Sequence, residues 1–343
     1  MISNIHIPLP LWQILCAGCV LLALVSCRGN FSTQGTSDNP LAGKVVCLDP
    51  GHGGTADIDS FRVGPGGERE EWINLRVALL LKEMLEESGA RVVMTRTEDV
   101  QVELSDRALL AVENEADVFL SIHHNATADS VVNFPIVYFH GNASENAASI
   151  ALGRILARNF RDVLFDGESS VSLASDHAIF PGSGASVLRN SYGIPGVIGE
   201  ASFFSNAEEE RRLKDSDFNR KEAQAYLSTL TEFFSHEIPP IADKYSQSEL
   251  PPFPVLEEDE RMQEEARSWF EFYRHGLETR QKQDRASLEE AYDLFTRSAR
   301  AFPDSSVAQA CHRHRAEILA ALGDVERAEV ARRRAEEHYV AVE

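Results

Sequence analysis

The stretch "KVVCLDPGHGG" (residues 44–54) opens with a short apolar run suited to a buried strand and closes on a proline-glycine turn carrying one imidazole, His52. The chain beyond it repeats that plan. "EWINLRVALLLKEMLEESG" (71–89) is apolar at a helical period and ends on Gly89, a residue suited to the left-handed end of a helix. "ARVVMTR" (90–96) predicts a second strand, "SDRALLAVENEA" (105–116) a second helix with Ser105 as its cap, and "DVFLSIHH" (117–124) a third strand. Further on, "FPIVYFH" (134–140) and "IPGVIGEASF" (194–203) read as strands, with "SENAASIALGRILARNF" (144–160) and "RKEAQAYLSTLTEFFSHEI" (220–238) as helices. Strands alternating with helices imply right-handed crossovers. The expected class is therefore α/β, a mostly parallel central sheet with helices on both faces.

The flanks read differently. "LPLWQILCAGCVLLALVSC" (9–27) is an apolar run of signal-peptide length ending in small residues. Its last tetrad, Leu24 to Cys27, resembles a bacterial lipoprotein processing site. Residues 1–27 are thus expected to be a lipoprotein-type signal peptide, with Cys27 as the lipid-modified residue that anchors the chain to a membrane. Ahead of this run, "MISNIHIPLP" contains no Lys or Arg, which leaves a plain transmembrane anchor as the alternative. On either reading the body of the chain is exported and held in the bacterial cell envelope, facing the periplasm, with the outer membrane as one candidate. Polar residues 28–43 read as a flexible tether and residues 44–237 as one α/β domain with a substantial core.

The five prolines of "PPIADKYSQSELPPFPVLEEDE" (239–260) mark a semi-rigid linker over 238–260. After it, residues 261–343 read as helical. The order Ala291, Tyr292, Phe295, Ala299, Pro303 resembles a tetratricopeptide unit, and Leu322-Gly323 with Ala328 fits the next; plain helical hairpins are the alternative. The expected role of this part is contact with a protein partner, or packing on the first domain, and not chemistry. Charge excludes one class of partner. With 54 acidic against 33 basic residues and a net charge of −21, the chain lacks the basic surface that nucleic acid needs. Once the signal and Cys27 are set aside, only Cys47 and Cys311 remain, so no disulfide framework holds the fold.

Sites on parallel sheets gather beyond the carboxyl ends of strands. The polar residues at those ends are His52, the pair His123 and His124, and Glu200; the acids Glu68, Glu70 and Glu71 open the first helix. Taken singly, a strand-end His or a helix-start acid is ordinary. Glu200 is harder to dismiss, because a lone carboxylate in an apolar strand costs several kcal/mol unless it is paired or metal-bound. Two imidazoles and a carboxylate suit Zn²⁺ with a fourth position left for water, and a second carboxylate is then available to move protons.

"LDPGHGG", "EREEWINLRVALLLKEMLEESGARVVMTR", "LSDRALLAVENEADVFLSIHHNA" and "GIPGVIGEASFFSN" together resemble, in order, blocks of the zinc-dependent N-acetylmuramoyl-L-alanine amidases, the amidase-3 family. The resemblance implies that His52, Glu70 and His123 hold one Zn²⁺ and that Glu200 acts in catalysis. Strand geometry agrees with a single histidine of the pair, since neighbours on a strand point to opposite faces. The sequence departs from the family at Ser202, where glycine is usual after the catalytic Glu, at His124, where a small residue is common, and in "TADIDSFRVGPGG" (55–67). The implied activity is hydrolysis of the amide between N-acetylmuramic acid and the L-alanine of the peptidoglycan stem peptide, with peptidoglycan as the bound partner. A zinc peptidase acting on stem peptides and a non-catalytic wall-binding scaffold are the alternatives.

Overall fold

The computed structural model describes residues 39–55, 62–244 and 250–342. The expected signal peptide, Cys27 and residues 28–38 of the expected tether lie outside them. No helix among the described residues is long and apolar enough to cross a membrane.

Seven strands form one sheet within the described residues: β1 (Val45–Pro50), β2 (Arg91–Met94), β3 (Val118–Asn125), β4 (Ile136–Phe139), β5 (Ser172–Ser175), β6 (Gly196–Phe203) and β7 (Tyr339–Val340). Their order is β2-β1-β3-β6-β4-β5-β7. The block β2-β1-β3-β6 is parallel throughout. Direction then reverses: β4 is antiparallel to β6, β5 runs parallel to β4, and β7 is antiparallel to β5. The helices are α1 (Glu70–Glu87), α2 (Leu104–Glu113), α3 (Ala147–Leu164), α4 (Ser186–Asn190), α5 (Ala207–Leu213), α6 (Ser216–Phe234), α7 (Glu258–Arg261), α8 (Glu264–Arg267), α9 (Trp269–Arg280), α10 (Arg285–Ala301), α11 (Ala308–Leu322) and α12 (Val325–Glu337).

Strand alternation sorts the apolar side chains onto two faces. Val46, Leu48, Leu120, Val137 and Val197 meet Ile73, Val77 and Leu81 of α1, Leu156 and Phe160 of α3, and Tyr226 of α6. Their neighbours Cys47, Phe119, Ile136, Tyr138 and Ile198 face the other way, against Ala111 of α2 and Leu188 of α4. Because both faces are covered, each strand reads as a continuous apolar run. The α/β class expected from the sequence is the one observed.

Several boundaries differ from expectation. Helix α2 starts one residue before Ser105, with Glu103 at its cap position and no side-chain cap bond. Strands β5 ("SLAS") and β7 ("YV") carry too few apolar residues to announce themselves. The end of the expected flexible tether is docked: Leu41 is buried in the core and the Asn39 amide donates to the Ser88 carbonyl at 2.6 Å.

Residues 238–343 follow the packing alternative: the C-terminal helices belong to one compact unit with the sheet. The described part of the proline-rich segment is bonded along its length. The Ala242 amide donates to Glu145, and the Leu256 amide to Arg300, at 2.8 and 3.0 Å; Leu250 and Phe253 are buried. Beyond it, Trp269, Phe302 and Ala308 enter the same apolar cluster as Phe119 and Tyr138, and Tyr339–Val340 complete the sheet. An amphipathic helix buries its apolar stripe against whatever face is open, and here that face belongs to the sheet.

Candidate active site

The turn after β1 explains why the loop around His52 is so bare. A Cβ at Gly51 would stand 2.1 Å from Cε1 of the His123 ring, so only glycine lets that ring lie against the backbone. His52 itself adopts φ 59°, a left-handed conformation that costs of order 1 kcal/mol for a residue with a side chain. Two arginines hold it there. Arg96 donates to the carbonyls of Pro50, Gly51 and Glu71 at 2.8, 2.9 and 2.7 Å. Arg107 donates to the His52 carbonyl at 2.6 Å and to Asp49 at 2.8 Å. Burial alone would raise the Asp49 carboxyl; the charge of Arg107 and the hydrogen bonds of Thr95, Ser121 and Arg107 outweigh it and hold the group below its ordinary range.

Helix α1 begins with Glu70, and this first turn delivers one of the three acids. Glu68 turns to Arg76 (2.8 Å) and Glu71 to Arg69 (2.7 Å). Glu70 faces the imidazoles: its Oε1 lies 3.1 Å from His52 Nε2 and 2.9 Å from His123 Nδ1. Asn74, one helical turn on, donates to the same oxygen at 3.2 Å and to the Gly51 carbonyl at 3.3 Å. The backbone amide of His124 adds a further bond at 3.3 Å. Burial pushes the Glu70 carboxyl up, but the positive fields and hydrogen bonds of His52 and His123 hold it well below the usual carboxylate range. Burial also lowers the His123 imidazole, partly offset by Glu70.

His124 goes the other way, as strand alternation requires. It is fully buried, with Nδ1 2.8 Å from Asn74 Oδ1 and Nε2 3.0 Å from Glu222 Oε2 of α6. The chain Glu70–Asn74–His124–Glu222 therefore fixes the orientation of Glu70 from behind, the arrangement by which outer side chains orient metal ligands. An irregularity in the β3–β6 register falls between His123 and Asn125, where a bulge can re-aim a side chain next to a site.

Glu200 of β6 stands directly opposite His123 in the ladder. Neighbouring positions in register project to the same face, so its carboxyl joins the cluster. Its Oε2 is buried and has no hydrogen-bond partner among the described residues. Burial, the negative charge of Glu70 and that of Asp304 push this carboxyl well above the ordinary range, while Arg62 and Arg261 partly offset them. A carboxyl raised in this way holds a proton more readily than a free one, which suits a group that takes and gives protons.

The donor set passes the test for a metal ion. His52, Glu70 and His123 each offer a ligand atom within 4.8 Å of the others. The separations of 2.9 and 3.1 Å approach the edge of about 3.3 Å of a tetrahedron with bonds near 2.0 Å. The set also gathers around a cation: the Arg62 guanidinium lies 2.9 Å from His52 Nε2 and 3.2 Å from Glu70 Oε2.

A cleft of about 280 Å³ opens over the cluster. One wall comes from Tyr138, Ile179 and Phe180, and another from Leu256, Arg261 and Met262. The second wall comes from residues beyond 237, so their packing on the first domain reaches the edge of the site. Tyr138 donates its hydroxyl to Asp304, which follows α10, and Arg261 ends α7. Sequence reasoning missed Arg62, Tyr138, Arg261 and Asp304. Only Arg62 carried a signal, its place in the loop that departs from the family pattern.

Residues 46–232 match the family described as N-acetylmuramoyl-L-alanine amidase. Among curated relatives, a "Probable cell wall amidase LytH" of Staphylococcus epidermidis is 32% identical over 202 residues, covering 59% of this chain and 62% of the relative. The N-acetylmuramoyl-L-alanine amidase AmiC of Escherichia coli O6:H1 is 29% identical over 234 residues, covering 58% and 54%. The chain thus spans about three fifths or less of these relatives' length. Among solved structures, the catalytic domain of CwlV, an amidase from Bacillus (Paenibacillus) polymyxa var. colistinus, is 30% identical. It covers 55% of this chain and 97% of that one with a TM-score of 0.48.

Proposed function

The chain belongs to the N-acetylmuramoyl-L-alanine amidase family through residues 46–232, and on that premise we propose that it hydrolyses the amide joining N-acetylmuramic acid to the L-alanine of the peptidoglycan stem peptide. One observation carries the reading: Glu70 Oε1 lies within 3.1 Å of both His52 Nε2 and His123 Nδ1, beside Glu200, whose buried Oε2 has no hydrogen-bond partner among the described residues. His52, Glu70 and His123 would hold Zn²⁺. When bound, zinc supplies Lewis acidity that makes a water nucleophilic near neutral pH and polarises the scissile carbonyl. Glu200 takes the proton from the attacking water and passes it to the departing alanine nitrogen, since an amide leaves only as its amine. The Asn74–His124–Glu222 chain keeps Glu70 aimed, and the wall formed by Leu256 and Met262 excludes bulk water from one side.

We place the enzyme outside the cytoplasm, tethered to a membrane through a lipid on Cys27. The apolar segment 9–27 and relatives described as cell wall amidases support this reading. The test is Glu200→Gln, which keeps the shape and removes the base. Zinc content should stay at the parent's level while release of stem peptides from purified peptidoglycan falls by about 10²–10⁴-fold. Turnover within about threefold of the parent would refute the role given to Glu200. Mass spectrometry of the products decides the bond cut: free muramic carboxyl and free alanine amine are expected.

A further inference from the structure

A second cluster of histidine and aspartate side chains stands apart from the proposed active site. His140 follows β4, Asp176 and His177 follow β5, and His338 immediately precedes β7. Strand β4 runs against β6, and β5 runs parallel to β4. These residues therefore collect at the end of the sheet opposite the carboxyl ends of β1, β3 and β6.

One donor atom from each of His140, Asp176 and His177 lies within 4.8 Å of the others. His140 Nδ1 is 2.7 Å from Asp176 Oδ2, and His177 Nε2 is 3.9 Å from Asp176 Oδ1. The His140 and His177 rings are 5.3 Å apart, and the His338 ring is 5.8 Å from that of His177. His140, Asp176 and His338 are buried, while His177 keeps 11% of its side chain at the surface as a route of entry.

Hydrogen bonding within the protein leaves this group incomplete. Asp176 Oδ2 accepts from the Ala185 amide at 2.7 Å. Asp176 Oδ1, His140 Nε2 and His338 Nδ1 are buried with no hydrogen-bond partner among the described residues. Polar atoms so placed are rare in folded proteins unless a water or an ion completes them. Neither lysine nor arginine pairs with the Asp176 carboxylate among the described residues; its ion-pair neighbours are imidazoles. The loop also makes room for it. Gly184 sits at φ +65°, and a Cβ there would stand 2.6 Å from both Asp176 oxygens.

We propose that His140, Asp176 and His177 bind a divalent transition-metal ion, Zn²⁺ foremost, that ties the ends of β4 and β5 together. Imidazole nitrogens with one carboxylate suit zinc and disfavour calcium or magnesium, which take oxygen ligands. The three donors come from the ends of two neighbouring strands, so an ion among them links β4 to β5. Its position gives it a job. His338 joins α12 to the terminal strand, and its carbonyl already accepts from the Ser175 amide at 2.8 Å. An ion held by the ends of β4 and β5, beside His338, would brace the place where the last helix returns to the sheet.

The test uses the full chain produced with excess zinc and then desalted, with metal counted by mass spectrometry of the digested protein. The parent is expected to carry two zinc ions per chain, His123→Ala one, His140→Gln with Asp176→Asn one, and the three changes together none. The proposal is overturned if the His140/Asp176 variant keeps the parent's zinc content. It is equally overturned if the His123→Ala protein holds no zinc. Failure of the active-site reading is recognised separately, as zinc content unchanged by His123→Ala. Should the double variant not fold, anomalous diffraction at the zinc edge from parent crystals settles the matter. A peak among His140, Asp176 and His177 is expected, and its absence refutes the site.

Discussion

Removing residues 238–343 should unfold what remains, although the sequence places every proposed catalytic residue before them. Phe302 lies with its ring 5.9 Å from Phe134 and 6.1 Å from Phe203, and Trp269 lies 5.0 Å from Phe302. Truncation exposes at least Phe134, Tyr138 and Phe203 on the sheet. Burial of such side chains is worth about 1.5–3 kcal/mol each, so the three together lose at most about 5–9 kcal/mol. A domain of this size is stable by about 5–15 kcal/mol in all. The fragment 44–237 is therefore expected to be partly unfolded or aggregating at 25 °C. A milder change tests the same point: Phe302→Ala in the full chain should cost about 3–5 kcal/mol. Urea unfolding monitored by far-ultraviolet circular dichroism and tryptophan fluorescence should show one transition, shifted as a whole, because Trp269 sits in the shared core. Two resolved transitions, with Phe302→Ala moving only one of them, would refute the shared core. So would a fragment that melts cooperatively at the parent's midpoint.

Two further outcomes concern the site. Gly51→Ala drives a methyl group into the His123 ring, so zinc affinity, read by competition with a chromophoric chelator, should fall about 10–100-fold; unchanged affinity would show that the ring can step aside freely. Arg261→Met keeps bulk and removes a charge that holds the Glu200 carboxyl down. With the base pKa raised further, the acid limb of the kcat/KM profile should move to higher pH; a profile that keeps its acid limb would exclude Arg261 from the electrostatics of the cleft.

Much of the fold is legible in the sequence because parallel strands buried on both faces are written as unbroken apolar runs, as in "KVVCLD" and "DVFLSI". His52, His123 and Glu200 stand out as the polar residues that end such runs. Choosing Glu70 over Glu68 and Glu71 needs more than periodicity, since all three open the same helix; the resemblance singles it out, and only coordinates show Asn74 bonded to it. His124 illustrates a reading that alternation alone can make, since it has to face away from His123. The contacts of Arg261 and Asp304 are illegible for a physical reason. Amphipathic helices declare that one face is buried without declaring against what. The prolines of 239–254 suggest stiffness between bodies, whereas their neighbours Ala242, Phe253 and Leu256 are packed or bonded into one body.

The reversal of direction at β4 accounts for the rest of the architecture. Had β4 continued parallel to β6, His140 and Asp176 would stand at the same end of the sheet as His52, and two sets of ligands would compete for one ion. Running antiparallel, β4 carries Ile136 past Glu200 and releases His140 at the far end. The C-terminal segment then reaches both ends, with Arg261 and Met262 at the cleft and His338 beside His177. Anything that loosens β7 should therefore be felt at Glu200 through Asp304, which lies between Arg261 and β7 along the chain and bears on that carboxyl. Held by its rings in the core and by β7 in the sheet, the segment forms a wall of the cleft.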